Sequence, residues 1–214
     1  MTSGMLVESS QTTNSARYAT ASASPTRSMV GRARAVRSTE GVYLRPARSA
    51  PVIRPEDRVL EVGFGPGLAV ARAAELALAG KVVGIDHSEL MLRQARRRNV
   101  EAIRAGRVEL LLGSADALPR FEGRFDKVLA VNVYMFWKDP VSVLSGLRRV
   151  MKPGGGIAIT LQPRRRGATA GDTRAAGERM AASLRAAGFG EVRTEILEMA
   201  PVAAACVLGR SSPE

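Results

Sequence analysis

The stretch that most constrains this chain runs from Asp57 to Gly67. Within it a short apolar run, Val59-Leu60-Glu61-Val62, opens directly into Gly63-Phe64-Gly65-Pro66-Gly67. A run of that length bounded by turn signals fits a buried parallel strand. Leu68 to Ala79 has helical spacing and strong helix formers, and Gly80 stops it as a C-cap. A strand, a glycine turn and a helix in that order bring the free N–H groups of a helix start to the carboxyl end of a strand. Gly63, Gly65 and Gly67 supply positive φ, or remove a side chain where a ligand must touch main chain. Glu61 is the anomaly, because a carboxylate inside a buried strand needs a compensating interaction. The G-x-G-x-G spacing also departs from the G-x-G-x-x-G of dinucleotide binders.

The same strand-then-helix unit recurs downstream. Lys81-Val82-Val83-Gly84-Ile85 reads as a second strand ending in Asp86, and Ser88 is placed to N-cap a helix over Glu89–Ala105. Val108–Leu112 is a third strand, running into Gly113-Ser114-Ala115-Asp116-Ala117-Leu118-Pro119. Phe125–Asn132 is a fourth. Asp139-Pro140 then opens a helix over Val141–Met151, with Asp as cap and Pro at its first position. After Lys152-Pro153-Gly154-Gly155-Gly156 come a strand at Ile157–Leu161 and a helix at Thr173–Ala187, ended by Gly188. Two strands around Pro201, Val192–Met199 and Val202–Leu208, close the chain. Alternating strands and helices predict an α/β, doubly wound, Rossmann-like sheet, mostly parallel, with helices on both faces.

Taken in order, D-R-V-L-E-V-G-F-G-P-G, the strand ending in Asp86, the Asp116 segment, F-D-K-V, D-P and R-V-M-K-P-G-G resemble the class I S-adenosylmethionine-dependent methyltransferases of the small-molecule type, over about residues 55–209. The resemblance implies seven strands, the terminal pair supplying an antiparallel one, and S-adenosylmethionine as cosubstrate with no metal. It further implies that Asp86 accepts from the ribose hydroxyls and that Asp116 accepts from the adenine amino group. The Ala117 N–H would then meet a ring nitrogen, with His87 as a wall beside adenine. Glu61 would lie near the methionyl amino end, directly or through water, and Asn132 beside the methionine moiety. Each position also has a plainer reading. Asp86 can cap a helix, Asp116 can be a turn residue, Glu61 can pair with a buried arginine, and Met91 can be core instead of an adenine pad. Tyr134, Phe136 and Trp137 either wall an acceptor pocket or pack the core. The Asn132-Val133-Tyr134-Met135 segment is not the N/D-P-P-Y/F of amino-N methyltransferases. Tyr134 and His87 are candidate bases, and neither is singled out, so the catalytic residue stays unassigned.

Composition narrows the chemistry further. One histidine and one cysteine, Cys206, leave almost no room for a His/Cys metal cluster or a Ser-His triad. The lone cysteine also fits a reducing compartment, so a cytoplasmic protein is expected. No apolar run approaches the ~18–20 residues that span a bilayer. The formal net charge of +12 invites nucleic acid as a partner. Lysine, however, occurs only at Lys81, Lys127, Lys138 and Lys152, so the charge is mostly arginine in an Ala- and Gly-rich chain. Arg96-Arg97-Arg98 reads as the solvated side of a helix and Arg164-Arg165-Arg166 as a loop. The preferred acceptor is therefore a small, fairly apolar molecule, with RNA methylation or non-catalytic S-adenosylmethionine binding as alternatives. Residues 1–50, rich in Ser, Thr, Ala and Arg with only Glu8 and Glu40 acidic, read as disordered, apart from a short helix near Met29–Arg37. Such an Arg- and Ser-rich, acid-poor start also describes an organellar transit peptide. Residues 51–214 would form the one domain.

Overall fold

The structure is a computed structural model and describes residues 53–212. The expectations for residues 1–50 lie outside the described residues. The elements are β1 (Arg58–Val62), α1 (Leu68–Leu76), β2 (Lys81–Asp86), α2 (Glu89–Arg98), α3 (Val100–Arg104), β3 (Val108–Leu112) and β4 (Phe125–Val131). They continue with α4 (Pro140–Arg149), β5 (Met151–Leu161), α5 (Ala170–Ala186), β6 (Phe189–Leu197) and β7 (Ala204–Ser211). The seven strands form one sheet in the order β3-β2-β1-β4-β5-β7-β6. β1 to β5 pair in parallel, whereas β7 runs antiparallel to both β5 and β6. This is the doubly wound, seven-stranded, Rossmann-like arrangement that the alternation and the resemblance predicted.

Alternation along the central strands divides the core in two. Leu60, Val62, Val83 and Ile85 point to one face and pack with Leu144, Leu147 and Met180 of α4 and α5. Val59, Val82, Leu110 and Leu129 point to the other, under Val70 and Ala73 of α1 and Ala95 of α2. Phe64, inside the glycine turn, is buried in this second layer. It fits because Gly84 of β2 has no side chain, since a Cβ there would lie 2.7 Å from Phe64 Cδ1.

Several boundaries differ from expectation, each for a tertiary reason. The helix expected over Glu89–Ala105 divides at Asn99, whose buried Nδ2 donates to Gly67 O at 3.1 Å and to Ala95 O at 2.9 Å. β5 begins at Met151 instead of Ile157. The glycine-rich segment bulges between the Phe125↔Met151 and Lys127↔Gly156 pairs, and Lys152 Nζ donates to Asp126 Oδ1 at 2.8 Å. α5 starts ahead of Thr173, because Thr169 and Asp172 form a reciprocal capping box. In this strand order β1 lies between β2 and β4 and the chain winds outward in both directions from it. The carboxyl ends of β1, β2 and β4 therefore flank the switch point at which such sheets place their ligands.

Candidate functional site

The glycine turn is shaped by three left-handed glycines that meet different surroundings. Gly63 (φ 70) packs against the end of β4, where a Cβ would fall 2.3 Å from Val133 Cγ1. Gly67 (φ 81) is the N-cap of α1, and its Cβ would fall 2.7 Å from Ala95 Cβ on α2. Gly65 (φ 52) has no protein atom within 4 Å of a built Cβ and faces a cavity. Two of the glycines thus let the turn lie flat on its neighbours. The third leaves main chain bare toward open space.

Asp86, at the end of β2, organises this turn. Its buried carboxylate accepts from Gly65 N through Oδ2 at 2.9 Å and from Ser88 N through Oδ1 at 2.9 Å. Ser88 does the capping of α2, its Oγ accepting from Met91 N at 3.3 Å. A carboxylate offers about four lone-pair sites, so two N–H partners leave acceptor capacity toward the cavity.

The cavity, about 630 Å³, runs across the carboxyl ends of β1, β2, β3 and β4. Of the residues singled out from sequence, Gly63, Gly65, Asp86, His87, Asp116, Asn132, Phe136 and Trp137 line it. One end is polar, with Asp86, His87, Ser114 and Asp116. The other, made by the end of β4, is Val131, Asn132, Val133, Phe136 and Trp137. Phe136 is 74% exposed at the rim, while Trp137 both lines the cavity and packs in the first core layer. Met91 likewise does both, lining the cavity and packing on the second core layer. The His87 side chain is largely exposed, with Nδ1 3.9 Å from Asp86 Oδ1.

Four expected residues are not in the cavity wall: Gly67, which packs against α2, Glu61, which is described below, and Tyr134 and Ala117. Tyr134 does not line the cavity: its hydroxyl is 2.9 Å from Ser183 Oγ and donates to Arg179 O at 3.3 Å, both on α5. Its ring meets Trp137 edge-on at 5.6 Å. Tyr134 therefore ties α5 to the segment that follows β4. Ala117 also lies off the cavity, and its N–H closes a turn by donating to Ser114 O at 3.2 Å. Ser114 and Ala115 occupy the wall instead.

Glu61 lies beneath the turn, opposite Gly84 of β2 and Leu129 of β4, and is only 2% exposed. No arginine pairs with it among the described residues, and its Oε2 is buried without a hydrogen-bond partner. Burial, and then the charge of Asp86, push its carboxyl well above the ordinary glutamate range. Two carboxylates of different character thus share the turn.

Asn132 follows β4 in the left-handed region, φ 52. Its N–H donates to Thr160 O at 2.8 Å, and its Oδ1 accepts from Gln162 N at 2.9 Å. Sequence reasoning does not single out Gln162, nor Gly113, Ser114 or Val133. The αL-tolerant Asn at a strand end is the available signal for a special backbone there. Among the described residues no group of three or more His, Cys, Asp or Glu is arranged to hold a metal ion. No helix among them is long and apolar enough to cross a membrane.

Comparison with known proteins bears on this geometry. A family model described as a methyltransferase domain matches residues 59–155. The uncharacterized methyltransferase YdaC of Bacillus subtilis is 35% identical over 154 residues, which are 72% of this chain and 83% of that protein. The demethylmenaquinone methyltransferase of Symbiobacterium thermophilum is 40% identical over 108 residues, 48% of this chain and 41% of that enzyme. A crystal structure of an S-adenosylmethionine-dependent methyltransferase from Aquifex aeolicus shares the fold, with a TM-score of 0.60 at 22% identity, covering 74% of this chain and 84% of that one.

Proposed function

This chain belongs to the class I S-adenosylmethionine-dependent methyltransferases, and we propose that it methylates a small, fairly apolar acceptor held at the β4 end of the cavity. The residues present fit the methyl donor in their chemistry. Asp86 retains acceptor capacity for ribose hydroxyls, and Asp116 presents a second carboxylate for the adenine amino group in a cavity that His87 and Met91 also line. Gly65 leaves main chain open to a close approach. Glu61 has a buried oxygen without a partner beneath the turn, an arrangement that an α-ammonium group relieves directly or through water. Asn132 borders the methionyl end. When bound, the donor supplies a methyl already activated by its sulfonium.

The chain's own part is then alignment. Nucleophile, methyl carbon and sulfur must be collinear, and well-aligned reactants save on the order of 7–11 kcal/mol of barrier. Val133, Phe136 and Trp137 give the acceptor side an apolar wall against which an apolar body can be oriented. That apolar wall is the single observation that carries the acceptor class. The name of one relative, demethylmenaquinone methyltransferase, points to a small molecule as well.

The RNA reading depends on the arginines, and of the two runs Arg165 pairs with Asp172 at 2.6 Å beside the cap of α5. We place the domain at residues 51–214 and the protein in the cytoplasm, the latter on its single cysteine, buried in β7. Methyl transfer from labelled S-adenosylmethionine to a panel of quinols, phenols and cellular RNA at rising salt tests the acceptor class. Labelled small molecules with flat salt dependence are expected. Labelled RNA, with affinity collapsing between low and moderate salt, overturns the proposal.

A further inference from the structure

We propose that Gln162 is a positioning residue: it fixes Asn132 in its left-handed conformation and so sets the methionyl end of the donor site. The inference rests on the donor-site reading above. Gln162 is the first residue beyond β5 and is buried. Its N–H donates to Asn132 Oδ1 at 2.9 Å, while its side-chain Nε2 donates to Val202 O at 2.8 Å and to Ala200 O at 3.2 Å. The same turn is held from the other side, where Thr173 Oγ1 of α5 donates to Ala203 O at 2.8 Å. One residue therefore ties the turn between β6 and β7 to the residue that leaves β4 at φ 52.

A left-handed Asn is costly unless its side chain is used locally. Here the local partner is a main-chain N–H whose own position depends on the Gln162 side-chain anchor. Without the two anchoring bonds, the 200 and 202 carbonyls lose their donor and the end of β5 loosens. Asn132 then samples other orientations at the cavity wall. The adenosine end hangs on β2 and β3 and is independent of this chain of bonds. A residue acting only on stability would affect both ends alike.

The test uses full-length protein and two probes, S-adenosylhomocysteine and 5′-deoxy-5′-methylthioadenosine, which shares the nucleoside and lacks the amino-acid end. Gln162→Met keeps the side-chain length and removes its donor. It should weaken S-adenosylhomocysteine about tenfold, as expected when a charge-assisted hydrogen bond to the amino-acid end is misaligned, with methylthioadenosine affinity unchanged. Asn132→Gly retains the backbone conformation and removes Oδ1, and it should show the same split. In the Asn132→Gly background Gln162→Met should add nothing, because both act through one hydrogen bond. Equal losses for both probes, or additive losses in the double variant, overturn the proposal. If Gln162→Met does not fold, Asn132→Gly alone decides: unchanged S-adenosylhomocysteine affinity refutes the inference. Failure of wild-type protein to bind either probe would instead refute the donor-site reading.

Discussion

Replacing Glu61 with Gln separates binding from stability. Glu61 is 2% exposed, and its Oε2 has no partner in the protein. A ligand ammonium beside it gains a charge-assisted hydrogen bond, and such bonds contribute about 1.5–3 kcal/mol. Glu61→Gln should therefore weaken S-adenosylhomocysteine by roughly 10- to 150-fold, at about 1.4 kcal/mol per tenfold. Stability should move the opposite way. The folded protein holds this carboxyl above its ordinary range, chiefly by burial and next by the charge of Asp86. A raised acid contributes its full stability below the unfolded pKa of about 4.3 and loses it as pH climbs toward the folded value. The unliganded Gln variant should thus gain melting temperature relative to wild type as pH rises from about 4.3. At a pH below the raised value, ligand binding should also release a proton from Glu61, visible as a calorimetric heat that depends on the buffer's ionisation enthalpy. The variant should lose that dependence. Unchanged affinity, together with identical pH–stability profiles for the two proteins, would refute the account of Glu61.

Asp86→Ala should cost more S-adenosylhomocysteine affinity than Asp116→Ala, because Asp86 also holds Gly65 N and Ser88 N in place. Titration calorimetry of both variants checks this, and equal, negligible losses would reduce both to turn residues. Tyr134→Phe removes the hydroxyl that bonds Ser183 and Arg179, so it should lower the melting temperature, by about 1 kcal/mol of stability, and leave S-adenosylhomocysteine affinity unchanged. A drop in affinity comparable to that of Asp86→Ala would return Tyr134 to the site. Removing about the first forty residues should leave cooperative unfolding and S-adenosylhomocysteine binding intact, since their composition offers little apolar surface to bury. Loss of cooperativity would make that segment part of the domain.

What is legible in the sequence is local. The β1–turn–α1 unit follows from an apolar run, glycines and alanines within one short stretch. Asp86 reaches the cavity because it ends a strand of a parallel sheet, and Asp116 because the segment that leaves β3 stays at that edge. What the sequence hides depends on distant partners. Asn99 divides a helix because Gly67, thirty-two positions away, offers it a carbonyl. Lys152 to Gly156 reads as a plain turn by propensity, yet β5 takes it in as a bulge, held by Met151 opposite Phe125 and by Gly156 opposite Lys127 and Arg210. The Tyr134 hydroxyl turns away from the cavity because α5, nearly fifty positions on, supplies Ser183. The role of Ala117 rests on the resemblance, and the closed Ser114 turn consumes its N–H. Glu61 is recognisable as an anomaly, but only the fold shows that no arginine among the described residues answers it.

The central claim is that the turn, Asp86 and Glu61 together form a site for S-adenosylmethionine. Calorimetric titration of the purified protein with S-adenosylhomocysteine, with NAD in a parallel experiment, tests it most directly. The account predicts saturable, one-to-one binding of S-adenosylhomocysteine and no heat beyond dilution for NAD. Binding of NAD with none of S-adenosylhomocysteine would contradict it.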